Sequence, residues 1–268
     1  MELSARRWGA GPVSLLWLHG FTGDGSGLDH VADALGPDLS ATCPDLPGHG
    51  ESPPPPRAGG WEATLESLEA LLRALPRPRL LAGYSQGGRI ALALASRVPA
   101  EIDGLYLESA APGIADAAAR ARRAAEDEQL AQLLEQEGLE AFLARWEEHP
   151  LLAGLRALPA PLASQLATRR RRQDPRGLAA ALRALGQGAQ PFFPPAGLRR
   201  LRVPAAVAAG ARDAKYVDLA RSLAGDLAAS LHLPDCGHAP HLEAPAEIVS
   251  ALRALCARLG GARRRDRS

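Results

Sequence analysis

Short apolar runs recur along this chain, and each one ends at a residue that is typical of turns. Six of them are nearly continuous in hydrophobicity, without clean alternation of apolar and polar positions: residues 14–18, 39–43, 80–82, 102–107, 203–209 and 230–233. Strands that are buried on both faces of a parallel sheet have this pattern. We therefore predict a mostly parallel sheet.

Longer stretches with helical periodicity separate some of these runs. They cover residues 61–74, 87–97, 217–224 and 246–259. The alternation of strands and helices favours an α/β fold in which helices flank a central sheet.

The alternation stops in the middle of the chain. Residues 111–197 hold four helical patterns and no convincing strand; the patterns cover 116–136, 139–146, 161–170 and 177–185. We interpret this segment as a helical cap that is inserted into an α/β core formed by residues 1–110 and 198–268. The last part of the core, residues 260–268, is rich in arginine, and we expect it to form a flexible, solvated tail.

Composition excludes several classes of function. The 31 Lys and Arg residues nearly balance the 30 Asp and Glu residues, so no overall field favours nucleic acid or a membrane surface. The three cysteines do not make a disulfide framework, and no cluster has metal-ligand spacing. Residues 1–7 lack a signal-peptide core, and no apolar run could span a bilayer. We expect a cytoplasmic monomer or small homo-oligomer with no metal and no cofactor.

The segment Gly83-Tyr84-Ser85-Gln86-Gly87 lies between a predicted strand and a predicted helix. This is the context of a nucleophile elbow, in which a strained turn exposes a serine hydroxyl at the end of a sheet. The glycines let strand and helix approach closely, and the helix N-terminus adds a free N–H at Gln86. A glycine-rich turn with an ordinary serine is the alternative. We predict that Ser85 is catalytic.

A serine hydroxyl reacts only when a partner takes its proton. After an elbow of this kind, the acid and the histidine follow the serine in that order. Asp213 comes just after the fifth apolar run and His238 just after the sixth, which predicts a triad of Ser85, Asp213 and His238. His241 is a rival base, and Asp213 could instead cap a helix. We favour His238 because a glycine directly precedes it and frees the loop.

The segment His-Gly-Phe-Thr at 19–22 directly follows the first apolar run. Its position predicts that the N–H of Phe21 joins the N–H of Gln86 in an oxyanion hole. His19 and His49 stand in glycine-containing loops, and we expect them to shape those loops.

Longer motifs add to this picture. They are Leu-His-Gly-Phe-Thr-Gly at 18–23, Pro-Asp-Leu-Pro-Gly-His-Gly at 44–50, Gly-Tyr-Ser-Gln-Gly-Gly-Arg at 83–89, Gly-Gln-Gly-Ala-Gln-Pro at 186–191 and Asp-Ala-Lys at 213–215. From residue 19 to about residue 245, the chain resembles the 2-succinyl-6-hydroxy-2,4-cyclohexadiene-1-carboxylate synthases of menaquinone biosynthesis. The resemblance implies an α/β-hydrolase fold and the same triad.

The resemblance also implies a reaction and a substrate cradle. The family is a carbon–oxygen lyase that eliminates pyruvate from 2-succinyl-5-enolpyruvyl-6-hydroxy-3-cyclohexene-1-carboxylate, a small-molecule tricarboxylate. Ser85, relayed through His238, would act as a base beside the succinyl ketone. The implied cradle consists of Tyr84, Arg89, Arg123, Trp146 and Arg170. Guanidinium groups suit carboxylates because their planar fork can bind both oxygens.

Several assignments stay open. Gln86 stands where the family usually has an apolar residue, and Gly-x-Ser-Gln-Gly also occurs in carboxylesterases and thioesterases, which hydrolyse with the same triad. Among the arginines 169–172, the choice of Arg170 rests on counting back from a later motif. The cap arginines could be solvated, Trp146 could be core, and Lys215 could be exposed or could orient the loop around Asp213. A non-catalytic binding protein is disfavoured because the triad is complete.

Overall fold

The computed structural model describes the backbone of residues 1–265 and the side chains of residues 1–259. Its strands form one sheet: β1 (Ala5–Trp8), β2 (Val13–Leu18), β3 (Leu39–Pro44), β4 (Arg79–Tyr84), β5 (Gly104–Glu108), β6 (Ala205–Ala208) and β7 (Ser230–His232). The strand order is β1-β3-β2-β4-β5-β6-β7. Every neighbouring pair is parallel except β1 and β3. The carboxyl ends of the parallel strands therefore meet at one edge of the sheet.

Helices cover both faces of this sheet. In chain order they are α1 (Ala32–Leu35), α2 (Gly60–Ala74), α3 (Gln86–Arg97), α4 (Ala117–Gln136), α5 (Gly138–Glu147), α6 (Ala160–Arg171), α7 (Pro175–Leu185), α8 (Pro195–Leu198), α9 (Ala214–Leu227), α10 (Pro240–Glu243) and α11 (Pro245–Arg265). Helices α2, α3 and α9 pack on one face, and α1 and α11 pack on the other. The result is a three-layer α/β architecture.

The central strands are apolar throughout because both of their faces are buried. In β2, Leu16 and Leu18 pack in the α3 layer, whereas Leu15 and Trp17 pack in the α11 layer. None of these four side chains is more than 1% exposed. A strand with two buried faces has no solvent side for polar residues, which explains why the run shows no alternation.

The predicted fold class is confirmed, and all six apolar runs form strands whose ends lie within two residues of the predicted ones. The edge strand β1 was not predicted, because its two arginines are exposed and hide any apolar signal. Helix α11 extends to Arg265, and the flexibility of the tail predicted from residue 260 stays a prediction. Residues 266–268 lie outside the described part of the chain.

Five helices and a 3₁₀ helix (Pro150–Ala157) lie between β5 and β6, and the described chain has no strand there. Helix α4 packs along α7, and with α5 they enclose a small apolar cluster around Phe142 and Leu178. We refer to residues 111–197 as the insertion; its interpretation as a separate cap stays a prediction.

Among the helices of the described residues, none combines the length and the hydrophobicity that a membrane span requires.

Candidate active site

Ser85 lies between β4 and α3, with φ 50° and ψ −108°. Its N–H donates to the Glu108 carbonyl over 2.8 Å. A Cβ atom on Gly83 would overlap the backbone of Gly87, and one on Gly87 would overlap the carbonyl of Leu18. Strand and helix can therefore meet closely enough for the turn only because both positions are glycine. This strained turn has the geometry that the motif predicts for a nucleophile elbow.

The side chains of Ser85, His238 and Asp213 form one hydrogen-bonded chain. Nε2 of His238 is 3.2 Å from the Ser85 hydroxyl, and Nδ1 is 2.7 Å from Oδ2 of Asp213. The histidine is 2% exposed and the aspartate side chain 8%. Because a carboxylate only accepts, Nδ1 carries the proton and Nε2 faces the hydroxyl as an acceptor. This arrangement can take a proton from the serine.

The structure places His241 away from the serine hydroxyl. Its Nδ1 is 2.6 Å from Oε1 of Glu108, whose side chain is fully buried and also accepts from the Tyr106 hydroxyl. The His241 ring lies 4.6 Å from the Tyr84 ring. Of the two candidate bases, His238 is the one that contacts Ser85, whereas His241 is hydrogen-bonded to Glu108.

The loop after β2 is held in place by His19. Its Nδ1 donates to the Gly20 carbonyl over 2.8 Å, and its Nε2 accepts from the N–H of Leu46 over 2.9 Å. Burial lowers the pKa of His19, which keeps the ring neutral. Burial also lowers the pKa of His49 to about 3, and its ring packs against Phe21. Both histidines shape loops, as their motifs suggest.

Two backbone N–H groups remain free beside Ser85. Neither the N–H of Phe21 nor that of Gln86 has a hydrogen-bond acceptor within the described part of the chain. Phe21 follows β2, and Gln86 is the first residue of α3, where the helix dipole favours an anion. These two donors fit the predicted oxyanion hole.

A cavity of about 570 Å³ opens over the Ser85 hydroxyl. Its lining carries two carboxylates, Asp24 and Glu126, and five cationic side chains: Arg123, Arg145, Arg169, Arg170 and Lys215. Tyr84 also lines it, and burial raises the pKa of this tyrosine well above its usual value. Among the described residues, no group of His, Cys, Asp and Glu could hold a metal ion. The cavity is suited to an organic anion.

Two donors in the cavity lining lack a protein partner. The Nε atom of Arg170 and the indole Nε1 of Trp146 are buried, and neither has a hydrogen-bond acceptor among the described residues. Arg170 is 8% exposed, and its Nη1 contacts Glu147 at 3.2 Å. An unpaired buried donor is unfavourable, and the two residues that carry these donors both line the cavity.

Arg123 connects the cavity to the triad. Its Nε contacts Oδ1 of the buried Asp127 at 2.9 Å, and its Nη1 donates to Gln187 over 2.9 Å. The amide of Gln187 donates in turn to the hydroxyl of Tyr216, whose ring lies 4.5 Å from that of His238. These bonds fix the guanidinium in the cavity lining.

Arg89 differs from the expectation that it contacts the substrate. It is buried, does not line the cavity, and donates to the Leu185 carbonyl over 3.0 Å and to Gln190 over 3.3 Å. Burial lowers its pKa to about 10, so it stays charged at neutral pH. Helix α3 places this side chain against the insertion, where its hydrogen bonds attach α3 to residues 185–190.

Three cations of the cavity lie outside the predicted cradle: Arg145, Arg169 and Lys215. The sequence left Arg169 open as one of four arginines, and it left Lys215 either exposed or orienting the loop around Asp213. Arg145 and Lys215 have no carboxylate within ion-pair distance in the described part of the chain. Lys215 is the only lysine and stands two residues after Asp213, which is the one signal in the sequence that could have pointed to it. The other two lie beside predicted residues, but the helical pattern does not tell which neighbour faces inward.

The side chain of Gln86 is the departure from the family's pattern. It is 2% exposed, and neither its amide nitrogen nor its amide oxygen has a partner among the described residues. It is absent from the cavity lining. Glutamine in place of an apolar residue therefore leaves the backbone N–H unchanged, but it buries a side-chain amide that makes no hydrogen bonds with the described residues.

Comparison with known proteins agrees with this geometry. Residues 15–251 match the model of the alpha/beta hydrolase family. A 2-succinyl-6-hydroxy-2,4-cyclohexadiene-1-carboxylate synthase from Klebsiella pneumoniae is 35% identical over 245 residues, which cover 91% of this chain and 93% of that protein.

Two solved structures are similar over nearly their whole length. MenH from S. aureus superposes with a TM-score of 0.88 at 28% identity and covers 96% of this chain and 98% of its own. A thermophilic esterase from Thermogutta terrifontis, with malate bound, has a TM-score of 0.79 at 25% identity and covers 96% and 93%.

We predict that Gln86→Leu stabilises the protein. The substitution removes two unpaired polar atoms from a buried position at similar volume, so the free energy of unfolding should rise by about 1–3 kcal/mol. Urea denaturation measures this difference. The control is Gln132→Leu on the exposed surface of α4, which should change stability by less than about 0.5 kcal/mol. A Gln86→Leu protein no more stable than the unsubstituted one would contradict the prediction.

Proposed function

The chain belongs to the alpha/beta hydrolase family and, within it, to the 2-succinyl-6-hydroxy-2,4-cyclohexadiene-1-carboxylate synthases, lyases of menaquinone biosynthesis; from this premise we propose its reaction. The proposed reaction eliminates pyruvate from 2-succinyl-5-enolpyruvyl-6-hydroxy-3-cyclohexene-1-carboxylate. The observation that carries the proposal is the cationic cavity over Ser85, with unpaired donors on Arg170 and Trp146. These cations favour a tricarboxylate, with which they can form charge-assisted hydrogen bonds, over a neutral ester, which carries no charge.

The first step of the proposed reaction is a proton transfer. The proton on the carbon beside the succinyl ketone goes to the Ser85 oxygen, whose own proton passes to Nε2 of His238 over the 3.2 Å contact. Asp213 stabilises the imidazolium that forms. General base catalysis of this kind contributes about 10²- to 10⁴-fold to the rate.

The second requirement is a set of groups that stabilise the negative charge as it develops. Loss of the proton puts negative charge on the ketone oxygen. The free N–H groups of Phe21 and Gln86 support its stabilisation as they would support that of a tetrahedral intermediate. Each such donor contributes roughly 3 kcal/mol of transition-state stabilisation.

The third step breaks the carbon–oxygen bond. The electron pair shifts through the ring double bond and expels the enolpyruvyl oxygen in a 2,5-elimination. The enolate that leaves takes up a proton and becomes pyruvate. The ring keeps two conjugated double bonds, and no covalent bond to Ser85 is needed. His238, which holds the proton given up by the Ser85 hydroxyl, lines the cavity and can supply this proton to the leaving enolate.

We assign the carboxylates to cations that line the cavity. Arg123 and Arg170 are the proposed clamps, and both are ordered by carboxylate neighbours in the insertion. Trp146 supplies an indole N–H beside them. Arg89 contributes by its buried charge and by holding the insertion against α3, where Nη1 donates to Gln190 and Nη2 donates to Leu185.

Ester hydrolysis is the second candidate. It is favoured by Gln86 after the serine and by the likeness to the Thermogutta terrifontis esterase. The two candidates differ in what Ser85 does, since an esterase would use it as a nucleophile on a carbonyl carbon. An assay that follows pyruvate release and diene absorbance, run beside p-nitrophenyl acetate hydrolysis, separates them. Fast ester hydrolysis without pyruvate release would refute the lyase.

We predict that Ser85→Ala lowers the rate of pyruvate release by about 10²- to 10⁴-fold, because the base is lost while the cations that bind substrate remain. Steady-state kinetics with the enolpyruvyl substrate measures the effect, and KM should change little. Ser96→Ala in the same helix is the matched control, since its hydroxyl only contacts the Leu92 carbonyl. Unchanged pyruvate release by Ser85→Ala would mean that another group abstracts the proton.

We predict that Arg170→Ala raises KM for the tricarboxylate by about 10- to 100-fold, the expected loss of a charge-assisted hydrogen bond. KM for p-nitrophenyl acetate, a neutral ester, should stay within about twofold. Arg172→Ala is the control, because Arg172 is an exposed residue at the end of the same helix that does not line the cavity. Equal effects of the two substitutions would exclude a specific clamp at Arg170.

A further inference from the structure

One carboxylate holds the backbone on both sides of His238. The N–H of Gly237 donates to Oε2 of Glu243 over 2.6 Å, and the N–H of Ala239 donates to Oε1 over 3.0 Å. Glu243 is the last residue of α10, and its own N–H donates back to the Ala239 carbonyl over 2.9 Å. The two oxygens of Glu243 thus bracket the peptide units that carry the histidine.

Glu243 has no cation to pair with. Within the described residues, no arginine, lysine or histidine lies within ion-pair distance of its carboxylate. Its hydrogen bonds are to backbone N–H groups, the pattern of a group that fixes a loop. The His238 carbonyl accepts from the hydroxyl of Ser109 over 2.8 Å. Little freedom is left to the backbone at His238.

The contact between His238 and Ser85 is sensitive to the position of this loop. Nε2 of His238 is 3.2 Å from the Ser85 hydroxyl, at the upper end of the usual range for a hydrogen bond. A displacement of the loop by a few tenths of an ångström would separate the two atoms. Its position is therefore a condition for proton transfer.

The insertion reaches Glu243 directly. A Cβ atom on Gly154, in the 3₁₀ helix Pro150–Ala157, would overlap the carboxylate of Glu243. A Cβ atom on Gly237 would come within 2.9 Å of the same group. The carboxylate therefore fits between two glycines, one in the histidine loop and one in the insertion.

We propose that Glu243 is a positioning residue for His238. We also propose that the insertion influences the geometry of the triad through the contact between Gly154 and Glu243. The proposal rests on the proposed function only in that His238 acts on Ser85; it holds for either an elimination or a hydrolysis. Glu243 does not line the cavity and so has no contact with substrate.

The test compares Glu243→Gln with Glu247→Gln. The first substitution turns one acceptor into an NH₂ group that faces an N–H donor, whereas Glu247 is exposed and has no hydrogen-bond partner among the described side chains. We expect Glu243→Gln to lower kcat by about 10- to 100-fold, with KM within about twofold. Glu247→Gln should match the unsubstituted enzyme in both constants.

Two further measurements do not depend on the identity of the substrate. The rate at which a fluorophosphonate modifies Ser85 should fall with kcat, and the downfield proton NMR signal of the His238–Asp213 hydrogen bond should shift or broaden in Glu243→Gln. Gly154→Ala, which crowds the carboxylate without removing it, should change both signals in the same direction. Circular dichroism establishes that each variant is folded.

The outcomes separate this proposal from the proposed function. If the unsubstituted enzyme releases no pyruvate, the elimination fails, yet the fluorophosphonate rate and the NMR signal still report on Glu243. If folded Glu243→Gln keeps its fluorophosphonate rate and its NMR signal, the positioning role is refuted, whatever the reaction is. A uniform loss of folded protein without a change in the signal per folded molecule would also refute it.

Discussion

Ser85 is held at φ 50° and ψ −108° between a strand and a helix whose backbones touch. A conformation of this kind is unfavourable by about 1–3 kcal/mol and persists only because the surrounding structure enforces it. Gly83 and Gly87 make the approach of strand and helix possible. The constraint aims the hydroxyl at the carboxyl edge of the sheet, where Asp213 and His238 reach it from the loops that follow β6 and β7. The free N–H of Gln86 is a product of the same turn.

The core and the insertion contribute different things to the site. The core supplies the triad and the two free N–H groups, which are common to many reactions of this fold. The insertion supplies four of the five cations that line the cavity, namely Arg123, Arg145, Arg169 and Arg170. In the proposed function, the groups that select an anionic substrate therefore lie mostly in the insertion. Arg89 and Glu243 are two of the contacts between the insertion and the core.

The parts of the site that follow strands could be predicted from the sequence. Ser85, Asp213 and His238 each come just after an apolar run, so parallel topology alone brings them to one edge. The direction of a helical side chain is harder to predict, because it depends on how the helix packs. Arg89 therefore turned out to bind the insertion instead of facing the cavity. Within the arginines 169–172, only burial in the folded chain distinguishes Arg170.

Edge strands and contacts between loops are also hard to predict from the pattern of hydrophobicity. Strand β1 is half arginine and pairs only with β3, so burial leaves almost no mark on its sequence. The contact of Glu243 with the histidine loop is made to backbone N–H groups, which any sequence carries. Such contacts become visible only when the chain is folded.

In the proposed reaction, Ser85 acts as a base in a cationic cavity and forms no covalent bond to substrate. Rapid-quench mass spectrometry of the intact protein, during conversion of the enolpyruvyl substrate, tests it most directly. We expect pyruvate to accumulate while the mass of the protein stays unchanged at every time point. An adduct that maps to the peptide containing Ser85, formed and lost at the rate of catalysis, would contradict it.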